Sequence, residues 1–221
     1  TGDHVDVREQ FGQLYLRQGR HDEARSELER AMALDSTRVE SRRLIGLAYV
    51  AQGNYGEALA AFEQVVADQP HHIEAHYNLS TALTALSRPD AAARARKRFE
   101  ALSGHAAQIA RLRRRLDTKP DHLTTRLELA HHYRQLGRPE DALTHYRAAQ
   151  KIQPAHLETM VQLSALLLDR GAADQVLKIC GRGIDRYPDE TRTGQLHFTQ
   201  GLVRLRRGQH REARADFESA V

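Results

Sequence analysis

The sequence predicts an all-α chain of stacked helix-turn-helix units, an elongated solenoid rather than a closed globule. Three observations predict it. A set of residues recurs at a fixed step: Gly12, Tyr15, Gly19, Ala24 and Leu28 return 34 positions later as Gly46, Tyr49, Gly53, Ala58 and Phe62. Proline keeps the same step at Pro120, Pro154 and Pro188. The segment Leu44 to Pro70, LIGLAYVAQGNYGEALAAFEQVVADQP, holds an apolar run at helical spacing, a glycine break, a second helical run and a closing proline. Such a unit cannot bury its own apolar face, so neighbours must stack to share a core.

The units run in order Val5 to Arg38, Val39 to His72, Ile73 to Ala106, Leu123 to His156, Leu157 to Glu190, and a shorter one from Gly194 to Val221. In each, a first helix ends where Gly19, Gly53, Gly137, Gly171 or Gly208 can take positive φ; Ser87 holds that place in the third unit. Pro89 and Pro139 fall in the first turn of a second helix, where a missing N–H costs nothing. Ala24, Ala58, Ala142 and Ala213 mark the close crossing of the two helices, so a leucine there overpacks by about 1–3 kcal/mol. Gly12, Gly46 and Gly201 serve the same approach from the first helix. A three-residue slip at Thr191 to Thr193 lengthens one turn.

The period breaks once. Ser87 and Gly137 hold equivalent turn positions but stand 50 apart, one period plus sixteen residues. The expectation is a turn at Ser103 and Gly104 followed by an extra helix from about His105 to Leu116. On it Ile109, Leu112 and Leu116 form one apolar stripe, with Arg111, Arg113, Arg114 and Arg115 off it. One inserted helix reverses the stacking direction, which predicts two three-unit blocks with separate grooves: 5–106, an extra basic helix and linker at 107–122, and 123–221.

These residues resemble the tetratricopeptide repeat family, whose signature places a small residue and an aromatic on the first helix, alanine and a bulky residue on the second, and proline at the end. The resemblance covers nearly the whole chain. It implies a solenoid of the tetratricopeptide type, and a non-catalytic scaffold for protein–protein interaction that takes a partner peptide or domain in its groove. It also implies partner contacts from the first helices: Glu9, Gln13, Arg17, Arg43, Leu47, Val50, Tyr77 and Thr81 in the first block, and Leu127, His131, Arg134, Val161, Leu168, Phe198, Leu202 and Leu205 in the second. The basic and asparagine clamp of chaperone-binding members would fall at Glu9 and Gln13, which argues against a chaperone tail as partner. The second groove is mostly apolar, which suits a segment with hydrophobic anchors.

Charge is unevenly placed. The net charge is +4, yet Arg94 to Lys119 alone holds nine basic residues against two acidic ones. Within it Arg94, Arg96, Lys97, Arg98, Arg111, Arg113, Arg114 and Arg115 form a basic patch. Only Phe99 is available there as a stacking platform, which weighs against nucleic acid; electrostatic binding of a polyanion is the alternative reading. A regulatory array attached to a larger enzyme is a third.

No catalytic, cofactor or metal site is expected. The 13 histidines include neither an HExxH motif nor a flanking cysteine cluster, and His72, His122 and His156 fall two residues after prolines at the ends of units. Cys180, the single cysteine, sits at the bulky second-helix position and cannot form an internal disulfide. No apolar run approaches a membrane span, and the mean hydropathy of -0.63 suits a soluble chain, cytoplasmic or bacterial periplasmic. The usage, rich in alanine, arginine and leucine, points to a bacterial source. The chain starts at Thr1 and stops at Val221 inside a helix, so the expectation is a segment of a longer protein whose C-terminal end meets more repeats, another domain or a second copy.

Overall fold

The computed structural model describes residues 4–221, and every strand-length segment among them is helical or a short turn. Six helical hairpins follow in order: α1 (Val5–Arg17) with α2 (His21–Leu34), α3 (Val39–Ala51) with α4 (Tyr55–Asp68), and α5 (Ile73–Ala85) with α6 (Pro89–Thr118). Then come α7 (Leu123–Gln135) with α8 (Pro139–Ile152), α9 (Leu157–Asp169) with α10 (Ala173–Arg186), and α11 (Thr193–Arg206) with α12 (His210–Ser219).

One turn chemistry joins all six hairpins. The backbone N–H of Arg20 donates to the Tyr15 carbonyl at 2.9 Å, and Asn54 to Tyr49, Arg88 to Leu83, Arg138 to Tyr133, Ala172 to Leu167 and Gln209 to Arg204 repeat it at 2.9–3.0 Å. This six-to-one bond satisfies an orphan carbonyl and needs a left-handed residue just before its donor. Glycine supplies it at φ +65° to +77° in five hairpins, and Ser87 at φ 55° in α5–α6.

Three of the joints between hairpins are capped by a side chain. His72, His122 and His156 precede α5, α7 and α9, and each Nδ1 accepts the backbone N–H three residues on, at 3.3, 3.2 and 3.2 Å. The histidines that recur after the prolines are thus helix N-caps, a role usually taken by Ser, Thr, Asp or Asn. The lengthened joint before α11 holds six residues, Tyr187 to Arg192, and the Thr193 hydroxyl donates back to the Tyr187 carbonyl at 2.6 Å.

Inside five of the hairpins, a small first-helix residue meets a bulky second-helix residue sixteen positions on. A Cβ added at Gly12 would come within 2.5 Å of Leu28, at Gly46 within 2.5 Å of Phe62, and at Gly201 within 2.7 Å of Phe217. Ala130 with Tyr146 and Ser164 with Cys180 fill the same places, all four buried. The crossing alanines Ala24, Ala58, Ala142 and Ala213 are buried as the close approach requires.

The sequence expectation fails at α6. No turn forms at Ser103 and Gly104 and no separate helix starts at His105; α6 runs unbroken for 30 residues, where the other full second helices have 14. The sixteen added residues are therefore all helical. An interior glycine costs about 1 kcal/mol relative to alanine, less than fraying a helix whose apolar positions continue at 3–4 spacing through Leu102, Ala106 and Ile109.

The chain divides into two compact units, one ending at Gly104 and one spanning His105–Val221. In the first, Leu28, Leu44 and Ile45 form one apolar cluster, and Phe62, Leu59, Leu83, Ala92 and Ala95 another. In the second, Ile109 and Leu112 of α6 join Leu129, Tyr146, Leu163, Leu167, Val176 and Leu196 in a single core.

Candidate partner-binding surface

In the first unit the expected contact residues lie on α1, α3 and α5, and several are already engaged within the chain. Arg43 holds Glu40 through two nitrogens, at 2.8 and 2.5 Å, and Ser41 donates to Glu9 at 2.7 Å. Burial alone would raise the Glu40 carboxyl, but hydrogen bonds from Arg43 and His72 outweigh it and hold the group at about 2. Glu9, Gln13, Arg43, Leu47 and Val50 are half-buried, whereas Arg17, Tyr77 and Thr81 are exposed.

Val50, Tyr77 and Thr81 meet in a hollow of about 880 Å³, bounded also by Tyr55, Ser80, Thr84, Ala92, Ala93 and Arg96. Three of its lining residues turn their hydroxyls to the backbone of α5. Ser80 donates to the Tyr77 carbonyl at 2.7 Å, Thr81 to the same carbonyl at 3.2 Å, and Thr84 to the Ser80 carbonyl at 2.8 Å. With those donors used within α5, the floor is lined largely by carbon. Tyr77 stands beside Phe99 with ring centroids 5.3 Å apart.

In the second unit Arg134 donates to Gln162 at 3.0 Å, Gln162 to Glu158 at 2.9 Å, and Arg192 pairs with Glu158 at 2.9 Å, a polar ladder along α7 and α9. Val161 is buried, while Leu127 and Leu168 are partly buried and pack against the core. Phe198 is exposed and lies 5.7 Å from Phe217, and with Val161, Ala165 and Phe217 it bounds a second hollow of about 540 Å³. Leu202 is half-buried; Leu205 is exposed at a shallower hollow with Ala213, Phe217 and Val221.

His131 belongs to a cluster. His105 and His132 face each other with 2.8 Å between Nδ1 atoms, and the His131 ring is 5.5 Å from that of His132. Burial lowers the His132 pKa, helped by His105 and His131, while Glu128 acts the other way. Among the described residues, no group of three or more His, Cys, Asp or Glu is placed to hold a metal ion. Cys180 is fully buried, and burial pushes its thiol up to about 11, so it carries no thiolate at neutral pH.

All eight residues of the basic patch are exposed along α6. Arg96 pairs through Nε with Glu100 at 3.1 Å. Among the described residues no helix is long and apolar enough to cross a membrane.

Sequence reasoning missed Tyr55, Ser80, Ala92, Ala93 and Phe217 among the lining residues, together with a pocket role for Arg96. One sequence signal marks the first hollow: of the six small–bulky pairs sixteen apart, only Ser80–Arg96 lacks an apolar partner.

Tetratricopeptide repeat profiles match residues 3–69, 43–105 and 123–148, together more than half of the chain. No curated protein matches it in sequence. Among solved structures it is similar to a MamA chain, residues 41 to the end, from Desulfovibrio magneticus RS-1, at 16% identity and TM-score 0.42, covering 99% of this chain and 94% of that one. It is also similar to another MamA crystal structure, at 18% identity and TM-score 0.43 over 85% of this chain and 94% of that one. A third is YrrB, described as a TPR protein with an unusual peptide-binding site, at 19% identity and TM-score 0.38 over 86% and 90%. With its repeat step, capped hairpins and profile matches, the chain belongs to the tetratricopeptide repeat family.

Proposed function

We propose that this chain is a non-catalytic scaffold that holds a partner peptide or domain against its first helices. Family membership supports the protein-interaction role at the coarse level. The observation that carries the finer reading is the pair of carbon-lined hollows, one at Val50, Tyr77 and Thr81 and one at Val161, Phe198 and Phe217, each bounded by first-helix residues within one unit. Apolar hollows of this size take anchor side chains, and preformed helices require little ordering on binding.

The experiment is selection of binding peptides from a displayed library, followed by affinity measurements on surface variants. Thr81→Lys or Phe198→Lys is expected to weaken the selected peptides about tenfold or more, as loss of a central contact does. Glu63→Lys and Arg147→Glu, exposed on second helices, are expected to leave them unchanged. Peptides indifferent to both groove variants, but lost on charge reversal of Arg111, Arg113 and Arg114, would favour the polyanion reading instead.

A further inference from the structure

Five of the six hairpins complete their interior with their own bulky side chain: Leu28, Phe62, Tyr146 and Cys180 are fully buried or nearly so, and Phe217 is half-buried. The sixth does not. At the equivalent place in α6 stands Arg96, whose side chain is 75% exposed and reaches along the helix to Glu100. Its small partner Ser80 is nonetheless buried, with its hydroxyl bonded to the Tyr77 carbonyl. Beside Ser80 and Arg96 lies the hollow of about 880 Å³, within the roughly 300–1,000 Å³ of ligand clefts; the equivalent hollow at α11–α12, where Phe217 is in place, is about 400 Å³.

We propose that this hollow seats a knob supplied by another protein: a large apolar side chain, aromatic or long aliphatic, carried on an acidic segment. Two features fix that chemistry. The floor presents the methyl groups of Thr81 and Thr84, whose hydroxyls are turned to backbone carbonyls, beside those of Ala85, Ala92 and Ala93, so it is largely apolar. The charged residue lining the hollow is a cation: Arg96 is held by an exposed i,i+4 pair of small worth, and the same stretch of helix, on its other faces, carries Arg94, Lys97 and Arg98 against Asp90 and Glu100. A carboxylate beside the anchor can compete with Glu100 for Arg96, and a bound acidic segment offsets the local positive charge. The proposal deepens the scaffold reading above and rests on it, by naming the partner chemistry of the first-unit site.

The chain has no tryptophan, so a tryptophan-bearing peptide reports its own environment without background. The probe is a fifteen-residue glutamate-rich peptide with one central tryptophan, compared with a version carrying lysine at every glutamate and with an oligothymidylate of equal length as competitor. The expected result is a saturable blue shift with the acidic peptide, absent with the basic one and unaffected by oligothymidylate. Arg96→Tyr, which restores the knob, abolishes the shift while leaving the circular dichroism spectrum unchanged. Arg96→Glu, a substitution on an exposed side chain, weakens binding about tenfold or more. Unchanged affinity in Arg96→Tyr or Arg96→Glu, equal binding of the basic peptide, displacement by oligothymidylate, or no shift at all overturns the proposal. If library-selected peptides still depend on Thr81 or Phe198 in that event, this assignment fails alone; if they do not, the scaffold reading fails with it.

Discussion

The Nδ1 atoms of His105 and His132 lie 2.8 Å apart, close enough that one ring donates and the other accepts. Adding a second proton puts two cations in contact, and burial already lowers the His132 pKa below its usual 6.5. A folded-state pKa below the unfolded one means the unfolded chain binds more protons as the pH falls past about 6.5. The contribution is full above that pH and is lost on acidification towards the folded value. Thermal melts at pH 7.5 and 5.5 are expected to show a drop for the native chain that shrinks in His132→Gln, by a few tenths to about 1 kcal/mol for a partly exposed group. An equal drop in both proteins would contradict this.

Gly104 lies inside α6 with open space around its Cα, so a methyl group meets nothing. Gly104→Ala is expected to stabilise the chain by about 0.5–1 kcal/mol through helix propensity. Denaturant titration checks it, and a loss of stability would mean that a turn exists there.

Ser87 and Gly53 occupy the same left-handed place in successive hairpins, at φ 55° and +77°. Ser87→Gly relieves the serine of that strain and is expected to raise stability by about 1 kcal/mol, while Gly53→Ala lowers it by about 1–2 kcal/mol. Opposite signs from two chemically small changes are the test; like signs in denaturant titration would mean the two turns differ.

A Cβ on Gly46 would stand 2.5 Å from the Phe62 ring. Gly46→Ala is expected to cost about 1–3 kcal/mol by overpacking. Adding Phe62→Leu in the same chain is expected to recover part of that loss, since the contact is local. A double mutant that simply sums the two single effects in equilibrium unfolding would show that they are not coupled.

The hairpins were legible because their turn geometry has few chemical solutions. A left-handed residue after a first helix is nearly always glycine, and the fixed step placed Ser87 where glycine was missing. The continuity of α6 was not legible from Ser103 and Gly104, which locally read as a turn; the surrounding stripe of Leu102, Ile109 and Leu112 decided it. The N-cap role of His72, His122 and His156 depends on which ring nitrogen meets a backbone N–H, and a residue string carries no such information. Among the expected contact residues, Tyr77, Thr81 and Phe198 are exposed at hollows while Val161 is buried, because a shift of one residue turns a helix face by about 100°. The first hollow is an empty volume bounded by residues of several helices, and its one mark in the sequence is Arg96, standing where its counterparts are apolar.

The most direct test of the scaffold account is photo-crosslinking of a selected peptide to a chain carrying p-benzoylphenylalanine at one position at a time. Tyr77 and Phe198 are conservative aromatic sites on first helices, and Glu63 and Arg147 are exposed controls on second helices. The account predicts crosslinks from Tyr77 or Phe198 that unlabelled peptide competes away, and background yield from Glu63 and Arg147. Crosslinks of equal or greater yield from the second-helix positions would contradict it.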